Sequence, residues 1–232
     1  MYFRHSPRIW SAYPQLVAGV VAAGGVGAQG AVRPAVDRLT ALAAARLAAG
    51  PESGLAEIQA WRRAYATMGL PPTRYRCAAE SLLRRFRREA ALPRLHPLVD
   101  LCNAFSLAYA IPVGVFDVAR IDGDLEVRHA LGDEDYLTFA GTTERPDPDE
   151  VIFADRAGRA HSRRWTGRQS GDSAVRAGTG EVLIVVEGLH ADAPGDVPRL
   201  VAELVTELER AWPAHTRSAV LSASAPSFRY AG

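Results

Sequence analysis

The sequence predicts an α+β fold, and three observations lead to that class. Apolar residues recur at helical spacing through most of residues 34–111, whereas two-residue alternation and continuous apolar runs prevail after residue 124. Helices therefore come mostly first and strands mostly later, which differs from the regular alternation of a parallel α/β sheet. The composition, with 48% hydrophobic and 23% charged residues, is that of a globular protein with a buried core.

The first half of the chain is predicted to contain one strand and four helices. The strand is the apolar run LVAGVVAAGGV (16–26), which ends in a glycine-rich turn. The helices are indicated by apolar residues at helical spacing, and they span residues 34–48, 51–69, 76–91 and 96–111. After the fourth helix, Pro112 and Gly114 predict a Pro-x-Gly turn.

The second half is predicted to consist mainly of strands. DLEVRHA (124–130) alternates between polar and apolar residues, and EVIFAD (150–155) is a second strand. EVLIVVEG (181–188) is an almost continuous apolar run, which is typical of a buried strand. An amphipathic helix is expected over residues 198–212, followed by a final strand, SAVLSAS (218–224).

Charge is distributed unevenly along the chain, although the net charge is only +1. Residues 1–94 contain 14 Arg and five acidic residues, whereas residues 95–155 contain three Arg and 13 acidic residues. The third helix carries Arg84, Arg85 and Arg88 on one side. Such a row is typical of a solvated helix face, and it also matches the spacing of phosphates in a nucleic acid. The residues alone leave both interpretations open.

The cysteines and the apolar segments predict a cytoplasmic protein with no membrane partner. Cys77 and Cys102 form no C-x-x-C pair and lie in apolar helical surroundings, which is typical of reduced thiols. The start, MYFRHSPRIW, lacks the apolar core of a signal peptide. The most apolar run is too short and too rich in glycine to span a bilayer.

Several catalytic signatures are absent from the sequence. It contains no G-x-S-x-G, no P-loop, no H-E-x-x-H and no His/Cys cluster with zinc spacing. GGVGAQG (24–30) resembles a dinucleotide loop only loosely, because it lacks the strand–helix frame and the later acidic residue. We therefore expect neither a metal nor a cofactor.

Two polar stretches stand out against these apolar elements. Asp100 and Asn103 are neighbours on one helical face, where they indicate either a hydrogen-bonded core helix or one wall of a ligand pocket. RRWTGRQSGDS (163–173) combines a tryptophan with many directional donors, so it predicts either a surface hairpin or a loop that binds carbonyl or phosphate oxygen.

Taken in order, these segments resemble the B3/B4 domain of bacterial phenylalanyl-tRNA synthetase beta chains. PLVDLCNAFSLAYAIPVGVFDVARIDGDLEVRHA (97–130) is similar to the family's N-x-V-V-D-x-T-N-Y-V run, P-L-H-A-F-D turn and D-G-x-I-x-V-R-x-A strand. DEVIFAD, RRWTGRQSGDSAV and EVLIVVEG follow at compatible spacing. The W-R-x-A-Y segment at Trp61–Tyr65 and the RRW-x-x-RQS loop are similar to free-standing members of the family.

The resemblance covers roughly residues 55–190 and implies one B3/B4-like α+β domain over residues 1–232, with a mixed or antiparallel sheet packed against helices. In the synthetase this domain hydrolyses tRNA that carries the wrong amino acid, notably tyrosine in place of phenylalanine. The resemblance therefore implies a trans-acting, metal-independent aminoacyl-tRNA deacylase, with aminoacylated tRNA as its partner. The alternatives are a non-catalytic module that binds tRNA or an amino acid, and a small-molecule amidase or esterase on the same fold.

The resemblance also assigns candidate site residues. Asp100 and Asn103 match the family's aspartate and asparagine, and the family's editing-site histidine falls on Gly114, which predicts a pocket for a different or larger side chain. We expect the site residues to meet in one cavity, with Asp100 as support. The catalytic donors are Arg168, Gln169 and Ser170, the substrate-binding residues are Asn103, Gly114, Asp100 and Trp165, and the tRNA-binding residues are Arg84, Arg85 and Arg88.

Overall fold

The structure is a computed structural model that describes residues 1–231. Within these residues the chain forms six α-helices: α1 (Pro7–Ala12), α2 (Arg33–Ala49), α3 (Ala56–Thr67), α4 (Ala78–Glu89), α5 (Pro97–Tyr109) and α6 (Ala193–Ala211). Two short 3₁₀ helices cover Glu52–Gly54 and Val118–Arg120. The four helices predicted for the first half of the chain are confirmed as α2 to α5.

The same part of the chain contains twelve strands: β1 (Tyr2–His5), β2 (Val17–Gly24), β3 (Val113–Asp117), β4 (Leu125–His129), β5 (Tyr136–Leu137), β6 (Thr143–Glu144), β7 (Val151–Ala154), β8 (Ala160–Arg163), β9 (Arg168–Gln169), β10 (Glu181–Gly188), β11 (His215–Leu221) and β12 (Ser227–Arg229). One large sheet has the order β12-β1-β4-β7-β8-β9, the other has the order β11-β2-β10-β3, and β5 pairs with β6. Only β1 and β4 pair in parallel among the described strands. The predicted α+β class with a mixed, mostly antiparallel sheet is confirmed.

The four-stranded sheet separates two hydrophobic cores. Because side chains alternate along a strand, Val21 and Ile184 face the core formed with α2, α5 and α6. Val20 and Leu183 face the opposite way, into the core shared with the six-stranded sheet and with α1, α3 and α4. One side of the four-stranded sheet is therefore covered by α2, α5 and α6, and the other side by the six-stranded sheet with α1, α3 and α4.

Helix α6 lies very close to the four-stranded sheet because two glycines face it. A Cβ atom at Gly19 would lie 2.4 Å from a methyl carbon of Val201, and one at Gly188 would lie 2.9 Å from the Cβ of Ala193. The helix begins at Ala193, five residues before the predicted start, and includes Pro198. The buried contacts of this first turn outweigh the helical hydrogen bond that proline removes.

The predicted Pro-x-Gly turn is wrong, because Gly114 lies inside strand β3. The chain reverses earlier, at Ala110, which has a left-handed φ of 56° directly after α5. The Ser106 hydroxyl fixes this link by donating to the Ile111 carbonyl at 2.7 Å. Gly114 is then free to pair with Val185 of β10.

Both cysteines are buried and unpaired within the described chain, and burial raises the pKa of Cys77 and of Cys102 to about 12.

Across residues 1–231, none of the helices combines the length and the apolar character that crossing a membrane would require.

Candidate functional site

A cavity of about 80 Å³ lies between the two large sheets, where edge strand β3 meets the β8–β9 hairpin. Its lining comes from five strands and from the hairpin turn, and it includes Gly114, Phe116, Phe153, Ser162, Trp165, Gln169 and Glu187. Of the two segments expected to meet, 96–117 and 163–173, only residues 112–116 and 165–169 contribute to this lining. We call this space the inter-sheet cavity.

The turn of the β8–β9 hairpin has an unusual backbone. Arg164 and Trp165 both have left-handed φ angles, 50° and 56°, which residues other than glycine rarely adopt. Glu150 accepts from the Arg164 amide at 2.8 Å, the Trp165 amide donates to the Val151 carbonyl at 2.6 Å, and the Tyr65 hydroxyl donates to the Arg164 carbonyl at 2.8 Å. These contacts stabilise a turn that directs the Trp165 indole into the core.

Trp165 forms a wall of the inter-sheet cavity and is fully buried. Its ring packs edge-on against Trp61 at 5.0 Å and against Tyr13 at 4.8 Å between ring centroids. The segment is thus a hairpin, as one interpretation held, and it also lines the cavity. Binding of carbonyl or phosphate oxygen by this segment stays a prediction.

Glu187 is a residue of the cavity that the sequence analysis missed. Its side chain is only 2% exposed, and its Oε1 accepts from Trp165 Nε1 at 2.7 Å and lies 2.6 Å from His5 Nε2. Within residues 1–231 no hydrogen-bond partner is found for Oε2. The available signal was an acidic residue at the end of the apolar run EVLIVVEG, since buried strands rarely contain an unpartnered carboxylate.

The three predicted catalytic donors do not lie together in this cavity. Gln169 lines it, and its amide nitrogen donates to the Val115 carbonyl at 2.5 Å. Arg168 instead pairs with Glu144 at 2.9 Å and lies over the Tyr136 ring. The predicted placement of Arg168 in the cavity is therefore wrong, because the Glu144 carboxylate holds its guanidinium elsewhere.

Ser170 is fully buried and hydrogen-bonded to the backbone. Its hydroxyl donates to the Leu137 carbonyl at 2.9 Å and accepts from the Asp172 amide at 3.1 Å. Its predicted placement in the cavity is also wrong, because these two bonds hold the hydroxyl against the neighbouring β5 segment.

Asp100 and Asn103 line a different and larger cavity of about 430 Å³ in the helical layer, between α2, α5 and the α4–α5 link. The expectation of one shared pocket is wrong for both residues, because their face of α5 packs toward α2 and not toward the hairpin. Asp100 Oδ1 accepts from the Leu95 amide at 3.0 Å, so it fixes the segment before α5 and not the link after it.

Glycine at position 114, where the family has a histidine, does not create the space that was predicted. A Cβ atom at this position would lie 3.2 Å and 3.3 Å from two ring carbons of Phe116. The phenylalanine ring fills the space beside the glycine, so the prediction of a pocket for a larger side chain is wrong. A cavity that accepts benzene has a volume of about 150 Å³, roughly twice the volume observed here.

The arginines predicted to bind tRNA all have acidic partners. Arg84 lies 3.3 Å from Glu52, whereas Arg85 and Arg88 lie 2.8 Å and 2.6 Å from Glu89. Each ion pair lowers the positive charge that the α4 face presents to an anion.

A second pair of arginines has no acidic partner within the described chain. The guanidinium groups of Arg74 and Arg164 lie 5.2 Å and 4.5 Å from the ring centroid of Tyr75. This Arg74–Tyr75–Arg164 stack is close to the inter-sheet cavity, because Ala78 and Thr166 line the cavity and are joined by a backbone hydrogen bond of 2.9 Å.

One group of possible metal ligands comes from residues that are distant in sequence and meet in the folded chain. Single ligand atoms of Glu57, His190 and Asp196 lie within 4.8 Å of one another. Arg46 pairs with Glu57 at 2.6 Å, and Arg199 pairs with Asp196. Because each carboxylate already has an arginine partner, the geometry is explained without a cation.

The layered architecture and the inter-sheet cavity define the class of the protein, an α+β domain with a small cavity between two sheets. A family model described as the B3/4 domain matches residues 60–193. The match covers more than half of the chain, so the chain belongs to the B3/4 domain family.

The similarity to synthetase beta subunits covers parts of longer chains. The chain is 36% identical over 70 residues to the phenylalanine–tRNA ligase beta subunit of Cereibacter sphaeroides, a match that covers 30% of this chain and 9% of that protein. The beta subunit of Mannheimia succiniciproducens is 28% identical over 97 residues, covering 42% and 12%. The chain thus matches about a tenth of the length of these curated relatives.

Among solved structures, the chain is similar to an N-terminal fragment of the phenylalanyl-tRNA synthetase beta subunit from Pyrococcus horikoshii. That comparison gives a TM-score of 0.43 and 15% identity, and it covers 52% of this chain and 41% of that one.

Proposed function

We propose that the protein acts in trans on mischarged aminoacyl-tRNA in the cytoplasm and hydrolyses the ester between the amino acid and the terminal ribose. Family membership and the similarity to synthetase beta subunits support a module related to tRNA aminoacylation. The single structural observation that carries the proposal is the inter-sheet cavity, which has the size of an amino-acid side chain and contains a buried carboxylate.

An aminoacyl ester is already activated, so positioning of a water molecule and stabilisation of the developing oxyanion are sufficient chemistry. Gln169 is the predicted donor that lines the cavity, and its bond to the Val115 carbonyl fixes the orientation of its amide. We assign Gln169 the role of orienting the water or the ester carbonyl, with no covalent intermediate and no metal.

The direct test is to incubate the protein with a panel of tRNAs that each carry a labelled, mismatched amino acid. We expect release of at least one amino acid to be faster than in protein-free controls, and we expect that rate to persist in the presence of a chelator. Absence of release from every member would contradict hydrolysis, and rescue of a chelator-inhibited reaction by added zinc would contradict metal independence.

The second candidate is a binding module without hydrolysis. It is favoured by internal pairing, because all three predicted donors, Arg168, Gln169 and Ser170, already have protein partners. Tight binding of aminoacyl-tRNA without release of amino acid in the same panel would support this candidate.

The tRNA backbone is expected to bind at the Arg74–Tyr75–Arg164 stack. Arg74→Gln with Arg164→Gln should weaken tRNA binding and flatten the plot of log affinity against log salt by about 1.5, the value for two phosphate contacts. The matched control is Arg84→Gln with Arg85→Gln and Arg88→Gln, which removes more charge from groups that have acidic partners. If only the control set flattened the plot, the α4 face would be the tRNA surface, as the sequence predicted.

A further inference from the structure

We infer that the inter-sheet cavity receives an amino acid with a small side chain and that Glu187 binds its α-ammonium group. The inference rests on the proposed function and names the substrate class of the same site. Two independent features support it, the volume of the cavity and the charge of its lining.

The volume of the cavity favours a small side chain over an aromatic one. At about 80 Å³ the cavity is roughly half the size of one that holds benzene. Its walls include Phe116 and Phe153, which are buried and stacked with ring centroids 5.2 Å apart, and the buried Trp165. Side chains packed in this way do not open without loss of core contacts. A side chain of the size of alanine or serine fits the remaining space.

The charge of the lining favours a cation. Glu187 is the one charged residue among the described residues that line the cavity, and no arginine reaches it there. His5 and Trp165 both contact Oε1, which leaves Oε2 without a protein partner. Since Glu187 lines the cavity and Oε2 is not held by a protein donor, an ammonium group placed there supplies both the opposite charge and hydrogen-bond donors.

A free aminoacyl ester carries these two features together, a side chain and an adjacent ammonium group. Placing the side chain against the apolar part of the lining and the ammonium at Glu187 uses both parts of one cavity. N-acetylation of the amino acid removes the charge and leaves the side chain unchanged, so it separates the two contributions.

The experiment measures binding of short acceptor-stem RNAs whose 3′ end carries an amino acid through a stable amide link. We expect the alanyl RNA to bind at least about 10-fold more tightly than the phenylalanyl RNA. We expect N-acetylation of the alanyl RNA to weaken binding by about 10- to 100-fold, the range for loss of one charge-assisted hydrogen bond. Both comparisons use the unmodified protein, so neither depends on the folding of a variant.

Glu187→Gln should remove most of the difference between the alanyl RNA and its N-acetylated form. Glu144→Gln is the matched control, because it neutralises a carboxylate outside the cavity and should keep that difference. Equal binding of the alanyl and phenylalanyl RNAs, or of the alanyl RNA and its acetylated form, would overturn the inference while leaving tRNA binding intact. Failure of every RNA to bind would overturn the proposed function as well.

Discussion

Arg163→Gln is expected to lower the free energy of unfolding by about 3–5 kcal/mol, whereas Arg168→Gln should lower it by less than about 1 kcal/mol. The two arginines face each other across the β8–β9 pair, and both contact Glu144. Both substitutions remove one positive charge and shorten the side chain by the same amount. The difference between them therefore depends on burial and on the remaining partner.

Arg163 is nearly buried and pairs with an equally buried carboxylate. Its side chain is 6% exposed, and its Nε and Nη2 donate to the two oxygens of Glu150 at 3.0 Å and 2.7 Å. Glu150 is equally buried, so removal of the guanidinium leaves an uncompensated carboxylate in the interior. Arg168 and Glu144 are 37% and 38% exposed, so water replaces their lost contact.

Urea unfolding of the two variants at pH 7 measures both free energies under the same conditions. Equal losses would show that the Glu150 carboxylate finds another partner when Arg163 is removed, and the buried-network explanation would then be wrong. Arg163→Gln should also loosen the Arg164–Trp165 turn, because Glu150 accepts from the Arg164 amide.

Asp155→Asn is expected to lower the free energy of unfolding by about 3–5 kcal/mol at pH 7, with a loss that shrinks in acid. Burial alone would raise the pKa of Asp155, but hydrogen bonds from His161 and from the amides of Asp122 and Arg159 hold that pKa far below its ordinary value. The carboxylate has contacts of 3.1 Å with His161 Nε2, 3.0 Å with the Asp122 amide and 2.9 Å with the Arg159 amide.

The sign of the pH dependence follows from that lowered pKa. The unfolded chain binds a proton at Asp155 near its ordinary pKa of about 3.9, whereas the folded chain stays ionised to lower pH. The stabilisation is therefore complete above about pH 5 and is lost progressively as the pH falls toward the folded-state pKa. The difference between wild type and Asp155→Asn should consequently be smaller at pH 3 than at pH 7 in urea unfolding.

Asp133→Asn is the matched control for this experiment, because Asp133 is exposed and has no ion-pair partner within residues 1–231. It should change the free energy of unfolding by no more than about 0.5 kcal/mol at either pH. A loss at Asp155 that stayed constant between pH 7 and pH 3 would exclude linkage to its ionisation.

Long apolar patterns made much of the fold predictable from sequence. Strands β2, β7 and β10 and helices α2 to α5 each contain enough apolar residues for the pattern of a strand or a helix to be recognised in the sequence. The strands that were missed, such as β1, β9 and β12, are short, and their sequences are partly polar. β1 and β12 form because β1 pairs with β4 and β12, which are distant in sequence, so no local pattern marks them. β9 has only two residues, both polar, and pairs with the neighbouring β8.

The candidate site was predictable only in part, for the segments that strand pairing holds beside the cavity. Gly114 and Gln169 meet because β3 and the hairpin flank the same space between the sheets. Asn103 was assigned to the wrong cavity because its direction depends on how α5 packs against α2, which residue spacing does not determine. Glu187 was missed because a carboxylate at the end of an apolar strand becomes informative only when its buried neighbours are known.

The hydrogen bond between Trp165 and Glu187 also gives the protein an optical property. The Trp165 indole lines the inter-sheet cavity and donates to a carboxylate at 2.7 Å, so any charge that enters the cavity changes the electric field on the ring. Replacing the other three tryptophans, Trp10, Trp61 and Trp212, by phenylalanine would leave one intrinsic fluorophore inside the cavity. Its emission would report occupancy directly, without a label on either the protein or the RNA.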